Sequence, residues 1–253
     1  MCAVPKLLQK RLISGSLCGP LCDTHELRFD KCLGHGVKLH VVRAIWNGSK
    51  VVLKTPNVLG SHSMIKLLTL TTRPLNEDFK MTKEEFITLV SEELRLWLYG
   101  VYFNFHLQAN TSVFYGIAGR TYTSRTTEVL HEILIECDVG GDGTLKLTES
   151  LVCWELVETG EFMLNLLLRD SSATLDVYGT CGNMYALEYA DSKPYAGDIL
   201  DSRPWSLKAR LAVAILELVQ SIEQTPYGTL YLCDVLKDNI GLVRLKLAVS
   251  SIY

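Results

Sequence analysis

The sequence predicts an α+β protein. Three observations carry that class. Val37–Val42 and Lys50–Lys54 are β-rich runs on either side of Asn47-Gly48, a strong hairpin signal. Helical spacing of apolar residues then opens at Thr82 and returns at Thr127, Thr148 and Pro204. Between the last two helical stretches, Leu175–Tyr178 and Met184–Tyr189 read as a second strand pair about Gly182-Asn183. Strand pairs set apart from blocks of helix fit α+β better than a regular βαβ alternation.

Taken in order, residues 1–30 read as irregular, with Gly15, Gly19, Pro20 and clustered cysteines, and the texture turns β-like from Phe29. Thr82-Lys83-Glu84-Glu85 reads as a capping box, because a threonine and a glutamate three residues apart satisfy each other's backbone N–H. Phe86, Leu89, Val90, Leu94 and Trp97 follow at helical spacing. Thr127–Glu136 puts Val129, Leu130, Ile133 and Leu134 on one face. One long helix is expected from Thr148 to about Arg169, after the Gly/Asp-rich turn Asp138–Gly143. Pro204 suits the start of an amphipathic helix reaching about Gln224. Tyr231–Val235 and Ile240–Leu247 read as short strands.

A chain of 253 residues, 48% hydrophobic and 21% charged, can bury a core as one large domain or two small ones. That composition excludes disorder, collagen and coiled coil as the main architecture. The net charge of −3, with no basic run, argues against nucleic acid or an anionic membrane as the main partner. No uninterrupted apolar stretch of about 18 residues is present, so no transmembrane helix is expected. Gln9, Lys10 and Arg11 break any signal-peptide core. The eight cysteines include an early group, Cys18, Cys22 and Cys32, and none has zinc-ligand spacing. They read either as buried thiols or as a small disulfide-stapled cap in an oxidising compartment. Sequons at Asn47-Gly48-Ser49 and Asn110-Thr111-Ser112 fit the second reading, that of a glycoprotein.

Four local features carry chemistry. Gly34-His35-Gly36 leading to Val41 partly matches the glycine-rich loop that lets backbone approach phosphates, with Leu39 at the third glycine position. An ordinary turn would look the same. Val51-Val52-Leu53-Lys54 resembles the strand whose lysine contacts the α/β-phosphates and pairs with a helix glutamate; the alternative is an exposed strand-end lysine. Glu161 is the candidate partner, with Glu155 and Glu158 as rivals, and a solvated acidic face explains all three equally. Asp234 and Asn239 are five residues apart, the spacing by which an Asp orients an acceptor hydroxyl and an Asn holds metal. Asp138–Glu149 also follows the twelve-residue EF-hand pattern, with Gly143 at position 6 and Glu149 at position 12. Gly140 supplies no side-chain oxygen and Lys146 adds a positive charge at position 9, so calcium binding there would be weak. An Asp/Gly turn between two helices is the alternative.

Together these stretches resemble the divergent protein kinase domain 1 family, also called family with sequence similarity sixty-nine. The likeness runs from about Cys18 to Gly241. It is carried by Gly19-Pro20-Leu21-Cys22, Lys31-Cys32-Leu33, Asp142-Gly143 to Glu149, and Trp154 with Glu161-Phe162. Gly179-Thr180-Cys181-Gly182-Asn183-Met184-Tyr185, and Pro226-Tyr227-Gly228 through Cys233-Asp234 to Asn239, carry the rest. The resemblance implies a protein-kinase-like N-lobe with an inserted EF-hand, then the start of an incomplete C-lobe. It implies a cysteine-containing segment over 1–32, the N-lobe over 33–190 with the insertion at about 126–160, and the C-lobe portion over 191–253. Lys54 and Glu161 would be the nucleotide-binding pair with Gly34 and Gly36 in the phosphate loop, Asp234 the catalytic base, and Asn239 a ligand for magnesium or manganese. Asp138, Asp142, Thr144 and Glu149 would hold calcium.

The family is luminal in the endoplasmic reticulum and membrane-anchored through an N-terminal segment that is not found before the cysteines of this chain. Its partner would be a luminal protein and its co-substrate ATP. Fourteen residues follow Asn239, and no D-F-G-like acid is among them, so a truncated or alternatively spliced C-lobe is expected. If one helix carries both Glu149 and Glu161, they sit twelve residues and roughly 18 Å apart, and calcium could bias the Lys54–Glu161 pair. Three readings follow: a calcium-tuned secretory-pathway kinase, a pseudokinase that binds calcium, nucleotide or a partner, and a structural fragment without activity.

Overall fold

The structure is a computed structural model. It describes residues 14–35, 39–56, 69, 71, 74–76, 78–91, 119–170, 174–190, 204–223, 240–243 and 246–249. Its centre is a five-stranded antiparallel sheet formed by β1 (Leu27–His35), β2 (Leu39–Trp46), β3 (Ser49–Pro56), β6 (Val177–Cys181) and β7 (Met184–Glu188). The spatial order is β1-β2-β3-β7-β6. Asn47 and Gly48 turn β2 into β3 with positive φ at both residues, which is what an Asn-Gly hairpin turn requires. Gly182-Asn183 turns β6 into β7 in the same manner of tight connection.

The chain between β3 and β6 forms the helical side. It contains β4 (Lys80–Thr82), α2 (83–91), α3 (Gly119–Cys137), β5 (Thr144–Lys146), α4 (Leu147–Glu158) and α5 (Gly160–Leu167). β4 and β5 pair antiparallel, Met81 opposite Leu145. Thr82 caps α2: its Oγ1 accepts the Glu85 N–H at 3.1 Å, and Glu85 Oε2 accepts the Thr82 N–H at 3.0 Å. After β7 in the chain come α6 (Trp205–Glu223) and the hairpin of β8 (Ile240–Val243) and β9 (Lys246–Val249).

Side-chain alternation along β7 divides the core. Tyr185 and Leu187 face the helices and join Phe86, Leu130, Leu134, Trp154, Phe162 and Met163 in the larger cluster. Met184 and Ala186 face the other way, toward Leu17, Leu21, Leu27, Ala44 and Leu53. That second face is covered by a short helix, α1 (Cys18–Cys22), in the segment expected to be irregular. The segment lies against β6: Leu17 N–H donates to Thr180 O at 2.9 Å, and Gly182 N–H to Ser14 O at 2.8 Å. Glu136 Oε2, at the end of α3, accepts from Ser16 N, Ser16 Oγ and Thr180 Oγ1 at 2.6, 2.9 and 3.0 Å.

Three expectations are corrected. The single helix from Thr148 to about Arg169 is two helices, α4 and α5. Thr159 between them is extended (φ −77°, ψ 92°), and its hydroxyl donates back to Glu155 O at 2.8 Å. A β-branched residue whose hydroxyl competes for backbone, followed by Gly160, is a poor helix interior. Glu149 and Glu161 therefore do not share a helix. The run Ile240–Leu247 is a hairpin rather than one strand, paired Leu242 to Leu247. β1 starts at Leu27, two residues before the expected Phe29. The disulfide reading of the cysteines holds for four of them, through distant partners: Cys18 bonds Cys181 and Cys137 bonds Cys153, with Cα–Cα distances of 4.9 and 5.8 Å. A long-range pairing partner cannot be read from cysteine spacing. The Tyr231–Val235 strand lies outside the described residues.

Candidate functional site

Lys54 is in the last half of β3, opposite Tyr185 of β7. Its side chain points to the helical side, where Leu53 and Val51 point to the other. Its ammonium meets both oxygens of Glu161, Nζ–Oε1 at 2.6 Å and Nζ–Oε2 at 2.7 Å. The side chains are 9% and 5% exposed, so the pair is closed from water. Tyr185 donates its hydroxyl to Glu161 Oε2 at 3.1 Å. Burial pushes the Glu161 carboxyl above its ordinary pKa, while the Lys54 charge, its hydrogen bond and that of Tyr185 pull it down. The ammonium and the phenol thus replace part of the hydration that the carboxylate loses, and burial still outweighs them.

The helix that presents Glu161 is short and buried on nearly every face. Phe162, Met163, Leu164, Leu166 and Leu167 surround it, which suits an interior helix apolar all round. Asn165 fixes it to the sheet connection. Its Nδ2 donates to Glu161 O at 2.8 Å, and its Oδ1 accepts the Leu175 N–H at 2.8 Å. Of the rival glutamates, Glu155 accepts from Asn183 Nδ2 at 2.8 Å, and Glu158 closes α4. The structure therefore brings Lys54 to Glu161. Gly34 lies in β1 opposite Val41, just past an irregularity in the register. Gly36, Asp234 and Asn239 lie outside the described residues.

The Asp138–Glu149 loop closes on itself. Asp138 Oδ1 accepts the Gly141 N–H at 2.6 Å and Oδ2 the Gly143 N–H at 3.3 Å. Gly141 and Gly143 both take positive φ, which the tight turn needs. Asp142 Oδ1 accepts from Thr144 N and Thr144 Oγ1 at 2.9 and 2.8 Å. Glu149 Oε2 accepts the Lys146 N–H at 2.6 Å and Oε1 the Val139 N–H at 3.2 Å, so it caps α4. Lys83 of α2 adds an ion pair to Asp138 Oδ2 at 2.8 Å. Among the described residues no three His, Cys, Asp or Glu side chains converge as metal ligands. With Gly140 donorless and Lys146 and Lys83 positive, Asp138, Asp142, Thr144 and Glu149 do not fit a bound calcium as they stand.

Two family descriptions match the chain. "N-term cysteine-rich ER, FAM69" covers residues 3–103, and "Protein-kinase domain of FAM69" covers residues 153–251. The chain belongs to the FAM69 family. The first FAM69 match contains Lys54, and the second contains Glu161, Asp234 and Asn239. The loop with Asp138 and Glu149 falls between the two matched stretches. The α+β fold is the kinase-like one of FAM69, and the cysteine-rich description accords with the two disulfides. No solved structure matches the chain. No helix among the described residues is long and apolar enough to cross a membrane.

Tyr185, Glu136 and Lys83 were not singled out from sequence as site residues. Tyr185 acts through the β3–β7 register and Lys83 through the β4–β5 pairing, neither of which local spacing encodes. The one available signal for Lys83 was its place directly after the helix-capping threonine.

Proposed function

We propose that this FAM69 chain binds a nucleoside triphosphate through Lys54 and transfers its terminal phosphoryl group to a hydroxyl of a luminal protein. The observation that carries the reading is the buried bidentate ion pair of Lys54 and Glu161. A strand lysine held by a helix glutamate is the arrangement that presents an ammonium to the α/β-phosphates in kinases. Magnesium or manganese, which Asn239 would help to hold, would supply positive charge to offset that of the phosphates. Glu161 fixes the ammonium, Tyr185 fixes Glu161, and Asn165 fixes the helix bearing it. Asp234 is proposed to orient the acceptor hydroxyl and take its proton, and Asn239 to hold the metal. Calcium enters no step of this chemistry.

A thermal-shift titration with Mg-ATP tests the binding step. Ligand that binds only the folded state raises Tm, by RT ln(1 + [L]/Kd) in free energy. The expected result is a saturable rise in the native chain and none in Lys54→Met. A native chain whose Tm ignores Mg-ATP would overturn nucleotide binding. Binding without phosphate transfer to any added protein would leave the second reading, a pseudokinase. The two disulfides favour the endoplasmic reticulum lumen for either reading, since such bonds persist in oxidising compartments.

A further inference from the structure

The turn between β2 and β3 takes no part in the phosphate chemistry, yet it carries a chemically specific pattern. Asn47 and Gly48 form it, and Ser49, the first residue of β3, pairs with Trp46. Asn47-Gly48-Ser49 is an N-x-[ST] triplet with no proline in the middle, the acceptor pattern for asparagine-linked sugar. Access decides which such triplets can carry a sugar, and here access is open. Asn47, Gly48, Ser49 and Lys50 are all exposed. A β-carbon at Gly48 would meet no atom within 4 Å, so the tip has room for added bulk. Lys54 lies five residues along β3 from Ser49, roughly 17 Å down the strand, so a sugar attached at the tip starts clear of the Lys54–Glu161 pair. The setting agrees with the pattern. Two disulfides of the kind that persist in oxidising compartments hold the chain, and the cysteine-rich ER description covers residues 3–103, Asn47 among them.

We propose that Asn47 carries an N-linked glycan, added in the lumen of the endoplasmic reticulum. The proposal rests on the luminal reading of the chain. The donor is an oligosaccharide linked to a lipid pyrophosphate. Asn47 Nδ2 bonds to C1 of the first sugar and gives up one proton. The bond from C1 to the pyrophosphate oxygen breaks, and the lipid pyrophosphate leaves with the electron pair. The product hydrates the β2–β3 end of the sheet and closes that end to protein partners, while the Lys54 end of β3 stays open.

The test expresses the full chain in mammalian cells and compares native, Asn47→Asp, Ser49→Ala and Ser49→Thr. Asp-Gly keeps the positive-φ turn that Asn-Gly makes, and Ser49→Ala leaves the turn residues untouched, so loss of sugar is separated from loss of fold. The readouts are the mobility shift on treatment with peptide N-glycosidase, mass mapping of the aspartate that the enzyme leaves in place of a glycosylated asparagine, and disulfide mapping with thiols blocked. Asn47 is converted to aspartate in native and Ser49→Thr, and the shift due to this site is lost in Asn47→Asp and Ser49→Ala. A shift of the same size in native and Asn47→Asp, mapped to Asn110 alone, would overturn Asn47 as the site. No shift in any chain while Cys18–Cys181 and Cys137–Cys153 are intact would overturn the glycan and leave the luminal reading standing. No shift with those four cysteines recovered as thiols would overturn the luminal reading, and the glycan with it.

Discussion

At the scale of single residues, the Lys54–Glu161 pair converts burial into a requirement for partnership. Removing one partner strands the other charge in a dry site, at a cost of about 3–5 kcal/mol. Glu161→Gln should therefore lower the urea midpoint strongly, and Lys54→Met/Glu161→Gln should recover part of that loss. Additive single and double variants would show that the two side chains are not coupled. Tyr185→Phe removes one hydrogen bond to a charged group and should cost about 1.5–3 kcal/mol by the same measurement. Asp138 gives a pH prediction. Burial pushes its carboxyl up, but Lys83 and the N–H groups of Gly141 and Gly143 outweigh burial and hold it below the ordinary value. A depressed folded-state pKa contributes stability above the unfolded value of about 3.9, lost as pH falls through the folded value. Between about pH 5 and pH 2.5, Tm should fall less in Asp138→Asn than in the native chain, and parallel profiles would contradict this. The residue types in the pair were legible from Val51-Val52-Leu53-Lys54, yet three glutamates competed for the partner's place. After the break at Thr159, α5 brings Glu161 to Lys54, while Glu155 of α4 meets Asn183.

At the scale of elements, hairpins were the most legible part of the chain. Asn47-Gly48 and Gly182-Asn183 specify local turns, and the strands beside them follow. The α4–α5 junction was not legible, because the apolar pattern continues through Thr159 and Gly160 and periodicity alone sees one helix. The docking of the N-terminal segment on β6 was equally hidden, since it depends on approach between residues far apart in sequence. Two glycines make that approach: Gly15 and Gly179 both take positive φ, and a β-carbon at Gly179 would overlap Ser16 Oγ. Gly179→Ala should thus combine backbone strain with steric displacement of the segment. A loss of about 1–3 kcal/mol is expected from the strained φ alone. The check is urea denaturation together with hydrogen exchange, with loss of protection centred on the Leu17 and Gly182 amides. Native protection at those two amides would show that the segment tolerates the side chain.

At the scale of the whole molecule, the two disulfides among the described residues do different work. Cys18–Cys181 joins the covering segment to the far strand across 163 residues, and Cys137–Cys153 joins α3 to α4 across 16. In the chain-entropy account, cross-links restrict the unfolded chain more when they close longer loops. The expected contributions are about 5 kcal/mol for a loop near 160 residues and about 3 kcal/mol for one near 16. The short link also closes the α3–β5–α4 stretch that carries the Asp138 loop, next to the bond at Cys137. Replacing Cys137 and Cys153 together by Ala should therefore loosen the loop locally, with the smaller global loss. Replacing Cys18 and Cys181 together should lower global stability more and release α1 from the sheet. That release exposes Leu17, Leu21 and Leu27, buried in the native chain, to solvent. Paired denaturation curves of the two double variants, each against the native chain under oxidising conditions, give the comparison. A larger global loss from the 137–153 variant would mean that native packing at the α3–α4 junction, rather than restriction of the unfolded chain, sets what each disulfide contributes.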